Sequence, residues 1–160
     1  MVLAAAICLS AVVVGQSKKT GNLIKEGGGV DGINVGVSTS DDVIKKYGKV
    51  YLWEKNQKYS YQMTYLDRGL SFYMCQADKK EVIFLIEIKP PFQGKTSKGL
   101  ALGQSTKEEA EKLYGPPLDT HDDLEYPGVN LIFSKSGNRT VVSEIDIVES
   151  SGIRQCDDVP

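Results

Sequence analysis

His121 is the only histidine in this chain of 160 residues, and it stands among carboxylates in Asp119-Thr120-His121-Asp122-Asp123. Imidazole and carboxylate at such close spacing suit a divalent metal ion, or a small hydrolase with the histidine as its base. No second cluster of ligands accompanies them, so a solvated acidic loop between a helix and a strand is the preferred reading. The His121 enzyme, hydrolytic or metal-dependent, is kept as the alternative function. One histidine also leaves Ser-His-Asp and Cys-His arrangements with little support. Cys75 and Cys156 lack the Cys-x-x-Cys spacing of redox or zinc sites. Gly27-Gly28-Gly29 follows no strand pattern and precedes no Lys-Ser/Thr, so it reads as linker rather than phosphate loop. Asn138-Arg139-Thr140 is a chance sequon at a hairpin turn. No catalytic residue, metal ligand or cofactor is assigned, and the chain reads as a binder.

The strongest binding signal is aromatic. Tyr51, Trp53, Tyr59, Tyr61, Tyr65 and Tyr73 crowd one stretch, and such rings give large contact area with a polar tip. Some of them must fill the core. Alternation sets Leu70, Phe72 and Met74 on one strand face and Tyr73 on the other. Tyr51 and Trp53 fall in a connection between elements. Tyr51, Trp53 and Tyr73 are the candidate partner-binding residues, expected together on the sheet face opposite the helices, with Ser71 and Glu87 as polar neighbours.

Val2 to Gly15 is a run of apolar and small residues broken only by Ser10. It is shorter than the roughly 20 residues that cross a bilayer. Val13-Val14-Gly15 before Gln16-Ser17-Lys18-Lys19 fits a signal peptide cut after Gly15, although no Lys or Arg precedes the run. Ala5-Ala6-Ile7-Cys8 places Ile where a lipoprotein box needs a small residue, so lipidation of Cys8 is not expected. The expected location is periplasmic or secreted, with membrane association left open. Cys75 and Cys156 then invite one disulfide, two free thiols being the other reading. The chain is 41% hydrophobic and 25% charged, with a net charge of −2. That balance speaks against nucleic acid as the partner. The expected partner is another protein of the envelope or an extracellular enzyme.

These residues are arranged in an internal repeat. Gly36, Ser38, Thr39, Tyr47 and Gly48 recur as Gly103, Ser105, Thr106, Tyr114 and Gly115, at an offset of 67 residues. Ile86-Glu87-Ile88 recurs as Ile145-Asp146-Ile147 at an offset of 59, so the second copy is the shorter. Each copy starts with Thr and an acid three residues on, a capping box, and Gly ends the helix. Strand alternation follows. The expected fold class is α+β: two tandem repeats, each a short helical segment packed on a three-stranded antiparallel meander, sharing a sheet or core. The expected boundaries are a signal peptide over 1–15, a flexible lead-in over 16–31, repeat 1 over 32–91, repeat 2 over 92–149 and a tail over 150–160.

The strings Gly36-Val-Ser-Thr-Ser-Asp-Asp-Val-Ile-Lys-Lys-Tyr-Gly48 and Gly103-Gln-Ser-Thr-Lys-Glu-Glu-Ala-Glu-Lys-Leu-Tyr-Gly115, each followed by a Tyr and then Gly-apolar-x-apolar, resemble the SmpA/OmlA (BamE-like) domain. The match spans Gly36 to Ile88 and Gly103 to Ile147. Two such units in tandem resemble the architecture of the β-lactamase inhibitory proteins. The resemblance implies a non-catalytic module of the bacterial envelope, either an assembly scaffold or an enzyme inhibitor.

Overall fold

Two short helices begin where a threonine supplies the N-cap. Helix α1 (Ser40–Tyr47) follows Thr39 and α2 (Lys107–Tyr114) follows Thr106. In the second, Glu109 N–H donates to Thr106 Oγ1 at 3.3 Å while Thr106 N–H donates to Glu109 Oε2 at 3.2 Å. In the first, Thr39 N–H and Oγ1–H both donate to Asp42 Oδ2, at 2.9 and 3.1 Å. Gly48 and Gly115 end the helices at φ of 90° and 84°, where a side chain would be strained. Helices of eight residues do not hold alone. Val43 and Ala110, both fully buried, seat them on the core.

The protein's structure, a computed structural model, describes residues 22–55, 60–119, 123–152 and 156. Around the helices run β1 (Asn22–Lys25), β2 (Gly29–Val30), β3 (Ile33–Asn34), β4 (Leu52–Lys55), β5 (Ser60–Tyr65), β6 (Leu70–Cys75), β7 (Ile83–Ile88), β8 (Gly94–Thr96), β9 (Asp123–Tyr126), β10 (Val129–Ser136) and β11 (Arg139–Val148). They make a seven-stranded sheet in the order β4-β5-β6-β7-β11-β10-β9 and a four-stranded sheet in the order β3-β2-β1-β8. Every neighbouring pair in the large sheet is antiparallel. Its middle seam is β7 against β11, with Ile88 opposite Ile145 and Ile86 opposite Ile147. The small sheet and both helices lie on one face of the large sheet. Ile24, Val30, Val43 and Ala110 share a single buried cluster with Phe72, Ile86, Leu131 and Ile145.

Strands take 48% of the described residues and helices 14%, so the expected α+β class is overturned. The protein is mainly β, and it is not a helix on a three-stranded meander used twice. Two segments account for the difference. Leu52–Lys55 was expected to be connection, but it pairs with β5 as an added edge strand; exposed on both faces, it has no alternation to announce it. Residues 22–31, expected to close a flexible lead-in, hold β1 and β2, with Ile24 and Val30 buried. The polar composition there reflects only the outward positions. Gly29 belongs to close packing: a Cβ on it would meet the Ile33 carbonyl oxygen at 1.8 Å.

Candidate functional site

Side-chain alternation in the large sheet sorts its residues onto two faces. One cross-strand row reads Trp53, Met63, Phe72, Ile86, Ile147, Val129 and Tyr126 from edge to edge. That is the core face, under the helices. The adjacent row reads Leu52, Thr64, Ser71, Glu87, Asp146, Asn130 and Glu125. Among the described residues no helix or strand lies over this second, open face.

The three residues expected to share a partner surface are divided between the faces. Tyr73 is on the open face, opposite Gln62 and Leu85. Trp53, opposite Met63, is on the core face, its ring centroid 5.1 Å from that of Tyr61. Tyr51 packs there too, 5.6 Å from the buried Tyr65 ring. A single strand position reverses the face, and the pairing of β4 with β5 sets it. Ser71 and Glu87 take the open positions expected of them.

The middle of the open face is acidic. Glu87, Glu144 and Asp146 bring carboxylate oxygens within 4.8 Å of one another. Lys89 Nζ lies 2.9 Å from Glu87 Oε1 and 3.1 Å from Glu144 Oε2. The Tyr73 hydroxyl donates to Glu87 Oε2 at 3.0 Å. Burial, then the Glu87 charge, pushes the Tyr73 phenol well above its usual range. Burial, followed by the charges of Glu144 and Glu87, pushes Asp146 up to about 8. Its Oδ1 is buried with no hydrogen-bond partner. Burial opposes a charge on Lys89, yet its hydrogen bonds to Glu87 and Glu144 raise its pKa overall. Three carboxylates at this spacing have the donor type of a hard-cation site, but the lysine ammonium already lies between two of them. Glu144 and Asp146 had no place among the sequence candidates. The repeat offset pointed to Asp146, because its counterpart Glu87 is its cross-strand partner.

Cys75 and Cys156 form a disulfide across 81 residues, with Cα atoms 5.2 Å apart. Cys75 shares its strand face with Ser71 and Tyr73, so the bond ties the C-terminal tail to one end of the open face. His121 and Asp122 lie outside the described residues, as do Cys8, Tyr59 and the whole signal segment. Asp119 accepts a hydrogen bond from Glu125 N–H at 3.2 Å through its carbonyl, and Asp123 opens β9. The sequon asparagine, Asn138, sits in the β10–β11 hairpin turn.

A separate cleft of about 1100 Å³ lies beside the small sheet, lined by Asp31, Tyr47, Asp67, Arg68, Phe92 and Lys95 among others. The Arg68 guanidinium rests 5.2 Å from the Tyr47 ring centroid, and Tyr47 O–H donates to Asp31 Oδ2 at 3.3 Å. Its charges are mixed, which selects no class of ligand. No family model, curated protein or solved structure matches this chain.

Proposed function

We propose that this chain is a non-catalytic, exported protein-binding module of the bacterial envelope, a scaffold of assembly or an inhibitor of an enzyme. The observation that carries the reading is the open face of the seven-stranded sheet, a broad surface over which no described helix or strand lies. The sequence repeat, the leader-like N-terminus and the resemblance to BamE-like domains support it. The Cys75–Cys156 disulfide suits an oxidising compartment. Tyr73 is the aromatic residue that the open face offers a partner, and Tyr51 and Trp53 serve the core edge.

Two measurements test this. Residues 1–25 fused to alkaline phosphatase should make the enzyme active outside the cytoplasm; a fusion active only after lysis removes the export claim. Immobilised residues 16–160, oxidised, should capture one envelope or extracellular protein. That capture should fall with Tyr73→Ala and persist with Trp53→Ala. Capture indifferent to every open-face substitution would refute the reading.

A further inference from the structure

Charge is distributed unevenly over this molecule. The chain as a whole carries a net charge of −2. The open face places Glu54, Glu87, Asp123, Glu125, Glu144 and Asp146 on one side of the large sheet, with Lys89 as the cation beside them. These positions belong to β4, β7, β11 and β9, so the acidity runs from one edge of the sheet to the other. At its centre Glu87, Glu144 and Asp146 bring carboxylate oxygens within 4.8 Å of one another. There burial, followed by the charges of Glu144 and Glu87, raises the pKa of Asp146. Asp146 Oδ1 is buried within this cluster and has no hydrogen-bond partner. Lys89 balances Glu87 and Glu144 but makes no ion pair with Asp146.

Resting on the protein-binding reading above, we propose that the open face receives a basic protein surface, with an arginine or lysine side chain placed over Glu87, Glu144 and Asp146. Complementary charge across an interface steers encounter and fixes orientation. An incoming guanidinium brings several donors to acceptors that Lys89 serves only in part. Tyr73, Thr64 and Leu85 give the surrounding contact, half-buried and of mixed polarity.

The test uses oxidised full chain and three peptides of equal length, alternating serine with arginine, with citrulline or with glutamate. Backbone amide shifts are followed as each is added, and calcium chloride alone is added as a fourth titration. The arginine peptide should shift Leu85, Glu87, Glu144 and Asp146, and its affinity should fall at least tenfold as salt rises from about 0.05 to about 0.5 M. Citrulline and glutamate peptides should leave those amides in place. The double variant Glu87→Gln, Glu144→Gln should weaken the arginine peptide about tenfold, and the milder Glu144→Gln alone severalfold, which keeps the test open if the double variant folds poorly. Equal binding of the citrulline peptide, shifts centred on the Tyr47–Arg68 cleft, or calcium shifts as large as those of the arginine peptide would each overturn the proposal. Should it fall while capture still depends on Tyr73, the open face remains a binding surface and only the basic partner is lost.

Discussion

Trp53 stands directly across from Met63 in the β4–β5 ladder, on the face that carries the core. It is 42% exposed, at the rim of an aromatic group that includes Tyr51, Tyr61 and Tyr65. Trp53→Ala should therefore lower stability by about 1–2 kcal/mol, less than the 3–5 of a fully buried ring. Binding through the open face should be unchanged. Thermal melting beside partner capture decides the matter: an intact melting temperature with lost capture would return Trp53 to the partner surface.

Asp146 makes stability depend on pH in an unusual direction. Unfolded, an aspartate titrates near 3.8, whereas in the fold Asp146 is pushed up to about 8. Between those values the folded state keeps a proton that the unfolded state has released. Its contribution is fully present below the unfolded value and is lost as pH rises through about 8. The loss is at most about 1.4 kcal/mol per pH unit. Asp146→Asn should be more stable than the parent at pH 8 and nearly equal to it near pH 4. Denaturant titrations of both proteins across that range would show the divergence, and parallel curves would mean that Asp146 ionises normally.

Reduction of the Cys75–Cys156 bond frees a tail closed across 81 residues. In the chain-entropy account such a loop contributes about 4 kcal/mol. The Cys75→Ser, Cys156→Ser double variant should melt well below the parent. Added reductant should lower the parent to the same value, and should leave the variant where it was. A parent indifferent to reductant would show that the tail adds nothing to the fold.

Neither half should fold alone. Cutting after Pro91 separates β7 from β11 and β1 from β8, and leaves the apolar strand Ile83–Ile88 as a bare edge prone to aggregation. Residues 30–91 and 92–160, expressed separately, should be unfolded or aggregated, while 16–160 unfolds in one step. Two melting transitions in the full chain, each reproduced by one half, would contradict this.

The local signals were legible where a residue type has one structural use. Thr39 and Thr106 with their acids marked both helix starts, and Leu70, Phe72 and Met74 marked a core face. Leu52–Lys55 was not legible, because an edge strand exposed on both faces carries no alternation. Nor was Asn22–Lys25, whose parallel partner Gly94–Thr96 lies some seventy residues on. The candidate site suffered most from this. A missed strand leaves its register unknown, and register decided that Trp53 and Tyr73 point to opposite faces. The acidic centre needed two strands distant in sequence, β7 and β11, brought side by side, and only the pairing of Glu87 with Asp146 was foreshadowed by the repeat.

The last of the described strands along the chain is not at an edge in space. β11 lies between β7 and β10, in the interior of the large sheet. A nascent chain emerging from the ribosome can zip β4 to β7 early, yet β7 has no neighbour on its far side until Ile145 to Val148 appear. The seam is thus closed only once β11 has been made, and its contacts are far apart in sequence, which slows folding. A chain built this way keeps its central seam open until β11 emerges, and a stop just before Ile147 takes away half of that seam.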